Sequence, residues 1–212
     1  MDVAAVVVCN APELDVLTPI GGVPLLVRAV ETLLGAGEFG RVHVLVGALD
    51  QHARLSDACS ALPIMLHPHA LQRVGATSGD GSDTLRRTIG AFDAVVIHDV
   101  TWALVDSAVL SAVLAGLADG HDAVAPVVPL TDTVKDVTPS GLVTGTADRD
   151  GLRVVQTPQA FRSVVLDPLR PAPALAAAGV VVHTVAGDPA ALPLRTGDDI
   201  ELARAVLRGE QA

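Results

Sequence analysis

The chain has 212 residues, a formal net charge of −10, and half of its residues hydrophobic with only 2% aromatic. An acidic balance of this size excludes a nucleic-acid-binding face and adhesion to an anionic membrane surface, and no apolar run approaches the ~20 residues of a membrane span. With so few rings the core must be built from Val, Leu, Ile and Ala, which suits buried parallel strands covered by Ala/Leu helices.

In chain order, Val3–Cys9 is an unbroken apolar run and predicts a strand buried on both faces, ending in Cys9 as a small core residue. Pro24 then opens a helix, where its missing N–H does no harm. Leu25, Leu26, Ala29, Val30, Leu33 and Leu34 form the buried stripe of that helix, and Gly35 and Gly37 end it. Val42–Val46 is the next strand, 51–59 a short helix and 64–66 a shorter strand. A loop with Gly75, Gly79 and Gly81 leads to a helix starting near Ser82 or Asp83, both good N-caps.

Ala94-Val95-Val96-Ile97 then runs into His98-Asp99, four apolar residues of which three are β-branched. Such a run without alternation predicts the middle of a parallel sheet. The 106–118 helix is capped by Asp106 or Ser107 and stopped by Gly120. A strand at 123–128 contains Pro126 and meets Pro129, so it is expected to end early or bend. From 131 to 153 the pattern becomes polar, turn-rich and β-prone, with Pro139-Ser140-Gly141 as a turn: a hairpin standing off the main sheet. Ala-rich helical sequence fills 172–178, and 180–185 is a late strand. Thr196 with Asp199 three residues on forms a capping box before Ile200, Leu202, Ala203 and Val206. No repeat or linker divides the chain. The expectation is one α/β/α domain over 1–212, Rossmann-like, with a mostly parallel sheet and a β-arm at about 131–155.

In open α/β sheets ligands bind beyond the carboxyl ends of the strands, so Asp99 sits where such a protein keeps its chemistry. It either holds a metal ion or a ribose there, or simply caps the turn toward Asp106. His98, on an apolar strand, reads as a hydrogen-bonded core histidine. His67-Pro68-His69 has no third partner at sensible spacing and reads as a loop, not a metal site. Cys9 and Cys59 make no disulfide framework, and the first Lys or Arg is Arg28, so no signal peptide is expected and the compartment is expected to be the cytoplasm.

His98-Asp99, Asp132-Thr133-Val134-Lys135, Asp148-Arg149-Asp150-Gly151-Leu152 and Gln156-Thr157-Pro158-Gln159-Ala160-Phe161 follow in one order with close spacing. Together they resemble the 2-C-methyl-D-erythritol 4-phosphate cytidylyltransferases of isoprenoid precursor synthesis, and the similarity extends over nearly the whole chain. The resemblance implies a nucleotidyltransferase fold and a homodimer whose β-arm embraces its partner. It implies that Arg149 reaches the neighbouring site and that Arg149, Thr133, Lys135 and Thr157 lie near the sugar phosphate, Arg149 and Lys135 as catalytic residues. Asp99 matches the acid that helps hold Mg²⁺ with the nucleotide, and Asp83-Thr84 matches the element beside the cytosine base. The reaction implied joins methylerythritol phosphate to CTP, giving CDP-methylerythritol and pyrophosphate. Without the resemblance, Arg149 reads equally as a solvated arm charge, Lys135 as a hairpin ion pair and Thr157-Pro158 as a turn entering the next helix.

The chain departs from the family where the triphosphate binds. The family follows strand one with an A-A-G-x-G-x-R-M loop and a P-K-Q element, whose backbone N–H groups and cations meet the phosphates. Here the segment is Asn10-Ala11-Pro12-Glu13-Leu14-Asp15-Val16-Leu17-Thr18-Pro19, without glycine and with two acids. The family's arginine in H-D-A-A-R falls at Trp102, another at Gly81, and its lysine before the last helix at Pro193, with Arg195 close by. The expectation is a member with weakened or lost catalysis, a pseudoenzyme that can pair with an active relative. The alternatives are an active cytidylyltransferase with a rearranged loop, its cations supplied by Arg73, Arg86, Arg87 or Arg195, and a nucleotidyltransferase or glycosyltransferase for another sugar or nucleotide.

Overall fold

β1 (Val3–Cys9) lies in the middle of a sheet that has eight strands among the described residues, parallel to β4 (Val42–Val46) on one side and to β6 (Ala94–Asp99) on the other. The computed structural model describes residues 1–11, 13–36, 39–46, 52–67, 85, 87–165 and 179–209. Alternate residues of these strands feed two cores. Ala5, Val7, Val44 and Val96 face one side with Leu26, Val30 and Leu33, whereas Val6, Leu45 and Val95 face the other with Leu85, Phe92 and Phe161. Burial on both faces is why these strands carry no polar alternation.

β5 (Ile64–His67) pairs in parallel with β4 and ends the sheet on that side. Toward the other side the order continues from β6 to β11 (Gln159–Arg162) and then β7 (Ala123–Pro129), with β12 (His183–Ala186) beyond, parallel to β7. β10 (Arg153–Val155) also runs along β7. Six strands therefore point one way, and β10 and β11 run against them. Val155 faces Val127 and Ala160 faces Val124, so five steps on one strand match three on the other and two residues bulge out near Thr157 and Pro158. The Thr157–Pro158 peptide is cis.

The helices follow the expected stripes. A two-residue hairpin of β2 (Pro19–Ile20) and β3 (Val23–Pro24), turned by Gly21 and Gly22 at positive φ, leads into α1 (Leu25–Ala36). α2 (His52–Ala58) connects β4 to β5. α3 (Ser107–Ala118) is N-capped by Asp106, whose carboxylate accepts from Ala108 N–H at 2.7 Å. The final helix, α4 (Gly197–Gly209), starts at the expected box: Asp199 accepts from Thr196 N–H and hydroxyl, and Asp199 N–H returns to Thr196 Oγ1. β8 (Lys135–Val137) and β9 (Val143–Thr146) form a separate two-stranded hairpin, the arm, with Gly141 at its turn.

Several boundaries differ from expectation. Pro24 closes the hairpin and α1 starts one residue later, while Gly35 lies inside α1. β7 neither stops nor breaks at Pro126: it runs to Pro129, pairing with β12 on one side and β10 on the other. β5 extends through His67, whose Nε2 lies 2.8 Å from His43 Nδ1, so His67 belongs to a strand and not to a loop. The late strand begins at His183. Thr157-Pro158 enters a strand, β11, which its mixed sequence Gln-Ala-Phe-Arg does not advertise. The loop with Gly75, Gly79 and Gly81, the start of its helix near Ser82 or Asp83, and the helix at 172–178 lie outside the described residues.

Candidate functional site

The C-terminal ends of β1 and β6 lie side by side, Val8 against Asp99, and carry the residues singled out from sequence. Asp99 does cap a turn. Its Oδ1 accepts from Thr101 N–H and from the Thr101 hydroxyl, both at 2.8 Å, and so starts the 3-10 turn Val100–Trp102. Only one of its oxygens is used in this way, and Oδ2 has no partner among the described residues. The two readings of Asp99 are therefore compatible.

Thr157 is brought to Asp99 across 58 residues of sequence: Asp99 N–H donates to Thr157 Oγ1 at 3.2 Å. The same hydroxyl lies 2.9 Å from Nδ1 of His98, a wholly buried side chain. Burial lowers the His98 pKa to about 3, so the ring is neutral near pH 7. That bears out His98 as a hydrogen-bonded core histidine. Burial also drives the Cys9 thiol far up, with Cys59 and Asp99 adding to the effect, so Cys9 has no thiolate character.

Next to Thr157, Gln156 turns inward. Its Nε2 donates to Asp188 O and its Oε1 accepts from Asp188 N–H, each at 2.8 Å. Asp188 Oδ2 in turn accepts from Asp106 N–H at 3.2 Å, ahead of α3. Gln159 Nε2 donates to Gln156 O at 3.0 Å. The chain from Asp99 through Thr157 and Gln156 to Asp188 thus fixes the bulge between β10 and β11. Gln156 stood in the Gln156-Thr157-Pro158-Gln159 motif, but nothing local in the sequence marked its inward turn or its partner 32 residues on.

Thr133, Lys135 and Arg149 lie on the arm and are exposed. Lys135 Nζ donates to Thr146 Oγ1 at 2.7 Å across the hairpin, and Arg149 Nη1 donates to Thr131 O. Within one chain both cations are thus occupied with the arm itself. Asp83, Thr84, Arg73 and Arg86 lie outside the described residues.

The segment after β1 is folded on itself. Leu14 N–H donates to Ala11 O, Leu17 N–H to Asp15 Oδ1 and Thr18 N–H to Asp15 O. Thr18 O and Val16 O accept from the first N–H groups of α1, at Leu25 and Leu26, and Val16 is buried in the main core. Asp15 also pairs with Arg54 of α2 at 2.7 Å. The Leu17 N–H, and then Arg54, hold the Asp15 carboxyl below its usual range. Trp102, where the family's arginine falls, is buried with Val105 and Val109, and Val154 and Ala191 pack against them. Leu194 N–H donates to Thr101 O at 2.8 Å, which ties the segment before α4 to the turn that Asp99 caps.

Solved structures share this architecture. The 4-diphosphocytidyl-2C-methyl-D-erythritol synthase of Anaerococcus prevotii superposes with a TM-score of 0.79 at 19% identity, covering 98% of this chain and 96% of that one. The 2-C-methyl-D-erythritol 4-phosphate cytidylyltransferase of Thermus thermophilus gives 0.71 at 23%, covering 98% and 100%. The fold is that of the nucleotidyltransferases, an α/β fold with a mostly parallel sheet. A family model for 2-C-methyl-D-erythritol 4-phosphate cytidylyltransferase matches residues 15–209. The chain is 38% identical over 200 residues to the cytidylyltransferase of that name from Nocardia farcinica, covering 89% of this chain and 84% of the relative. It is 36% identical over 211 residues to that of Frankia casuarinae, covering 90% and 73%. The chain belongs to the 2-C-methyl-D-erythritol 4-phosphate cytidylyltransferase family. Among the described residues, no helix is long and apolar enough to cross a membrane.

Proposed function

We propose that this protein is a divergent cytidylyltransferase in which transfer of the cytidylyl group to methylerythritol phosphate is weakened or lost. One observation carries the reading: the N–H groups of Leu14, Leu17 and Thr18, in the segment after β1, are bonded within that segment, which bears Glu13 and Asp15 in place of cations. A triphosphate tail needs free N–H groups and positive charge around it. Removing one positioned transition-state donor costs about 10²–10³ in rate, and this segment lacks several. The burial of Trp102 where the family has an arginine supports the same reading.

Asp99 fits a magnesium ion arriving with the nucleotide. It keeps one carboxylate oxygen without a protein partner, and Mg²⁺ is usually held by one or two carboxylates together with phosphates and waters. Among the described residues no cluster of three or more His, Cys, Asp or Glu could hold a metal without such help. Bound there, the ion would neutralise phosphate charge. Thr157, Thr133, Lys135 and Arg149 are assigned to the sugar phosphate, and Asp83-Thr84 to the base.

The arm supports a dimer. Val137, Leu142 and Val143 are 55%, 66% and 57% exposed on a hairpin that stands apart from the sheet, and apolar surface of that kind is normally covered. The partner is a second copy, or an active relative whose site Arg149 would complete.

A second reading, a working enzyme with relocated cations, is favoured by Arg195. It adjoins Leu194, whose N–H is bonded to the turn beyond Asp99, and lies two residues from Pro193, where the family's lysine falls. Pyrophosphate release from CTP, methylerythritol phosphate and Mg²⁺ separates the two. The first reading predicts a rate at least about 10²-fold below that of the Nocardia farcinica relative, and an equal rate would establish the second.

A further inference from the structure

Thr157 Oγ1 stands between two nitrogens: Asp99 N–H donates to it at 3.2 Å, and His98 Nδ1 lies 2.9 Å away. His98 is wholly buried and its other ring nitrogen, Nε2, has no hydrogen-bond partner among the described residues. A neutral imidazole carries a single ring proton, so one nitrogen is a donor and the other an acceptor.

The two tautomers differ in what they leave unpaired. With the proton on Nε2, a buried N–H points at nothing, and the Thr157 hydroxyl hydrogen is consumed by Nδ1. With the proton on Nδ1, the orphan is a lone pair, and the Thr157 oxygen accepts twice. A buried N–H without an acceptor is the rarer fault in folded proteins, while under-satisfied acceptors are tolerated somewhat more often. The second arrangement also leaves the hydroxyl hydrogen a direction of its own, and Thr157 is only half-buried, with no acceptor for that hydrogen among the described residues.

We infer that His98 keeps its proton on Nδ1 and donates it to Thr157, so that the Thr157 hydroxyl, already accepting from His98 and Asp99, is fixed as an outward donor to an acceptor oxygen of the ligand. His98 is then a positioning residue that acts through Thr157. A hydroxyl locked as a donor favours phosphate and polyol oxygens over N–H groups. That the oxygen belongs to a phosphorylated polyol rests on the proposed function, whereas the tautomer rests on the geometry alone.

Long-range ¹H–¹⁵N correlation spectra of the full chain, labelled at its histidine rings, test this near neutral pH. The expected spectrum contains a ring with a protonated Nδ1 and a bare Nε2. Its signals vanish in H98Q, and its tautomer preference is lost in T157V but kept in T157S. Either H98Q or T157V suffices for the assignment should the other fail to fold. A His98 ring protonated on Nε2, or a ring unaffected by T157V, overturns the inference. Calorimetric titration with methylerythritol phosphate reads the ligand separately, and T157V should weaken binding about tenfold or more while T157S retains it. Equal affinity of wild type and T157V would overturn the outward donor. An Nδ1-protonated ring in a protein that binds no methylerythritol phosphate would uphold the tautomer and overturn the substrate reading.

Discussion

The side-chain amide of Gln156 and the backbone of Asp188 close a ring of two hydrogen bonds, each 2.8 Å long, between residues 32 apart in sequence. Gln156 is 1% exposed and Asp188 half-buried, so losing the amide leaves the Asp188 peptide groups at least partly unpaired. Gly187 makes the approach possible, because a Cβ there would lie 2.2 Å from Gln156 Oε1. Gln156→Leu should therefore destabilise the protein by about 1–3 kcal/mol for each group left unpaired. Gly187→Ala should also destabilise it, by pushing the amide out of place. Urea unfolding midpoints measure both, and a change below about 0.5 kcal/mol, typical of a neutral surface site, would contradict the clamp.

The pH dependence follows from the half-buried His43 and the buried His98. Burial, then the neighbouring His67 and Arg41, lowers the His43 pKa from 6.5 to about 4, and burial lowers that of His98 to about 3. The unfolded chain therefore binds protons that the folded chain refuses. The stability these rings contribute is complete above pH 6.5 and is lost progressively as pH falls toward 4 and 3. His43→Gln should flatten the loss between pH 6.5 and 4 by up to one proton, about 1.4 kcal/mol per pH unit. Chemical denaturation across that range gives the slope, and an unchanged slope would remove His43 from the account.

Asp15 and Arg54 join the segment after β1 to α2, but their side chains are 42% and 59% exposed. Such a pair contributes less than about 1 kcal/mol and is screened by salt. Because the Asp15 pKa is lowered on folding, its small contribution exists above pH 3.8 and disappears as pH falls through the folded value. Arg54→Ala should shift the melting temperature only slightly at low salt, and not at all at high salt. It should not create CTP binding, since the bonds donated by the Leu14, Leu17 and Thr18 N–H groups remain.

What the sequence made legible was local or strongly periodic. The runs ending at Cys9 and Asp99 declare strands buried on both faces, and Asp106, Thr196 and Asp199 announce helix starts by chemistry within three residues. What stayed hidden depends on distant partners. β10 and β11 are short, carry Arg153, Gln159 and Arg162, and become strands only because β7 and β6 lie alongside. β7 keeps its proline because Pro126 falls between the registers of its two antiparallel partners, β11 reaching Val124 and β10 starting at Val127, where no ladder N–H is asked of it on that side. Of the site, Asp99 and Thr157 were named from motifs, but their meeting at Thr157 Oγ1, and the grip of Gln156 on Asp188, join residues 58 and 32 apart.

The exposed arm gives the assembly prediction. If Leu142 and Val143 are covered by a partner, Leu142→Asp with Val143→Asp places two charges in an apolar interface and should convert the dimer to monomer. The sheet core should stay intact, because the arm forms its own hairpin. Sedimentation velocity at micromolar concentration decides this. A monomeric wild-type protein, or a variant that remains dimeric, would contradict the arm's role.

On the proposed function, the acidic turn beyond Cys9 does not grip a nucleoside triphosphate. Isothermal titration of the intact protein with CTP and Mg²⁺ tests it most directly. No saturable heat is expected below millimolar CTP. Saturation at micromolar CTP, lost when Asp99 is changed to Asn, would contradict it.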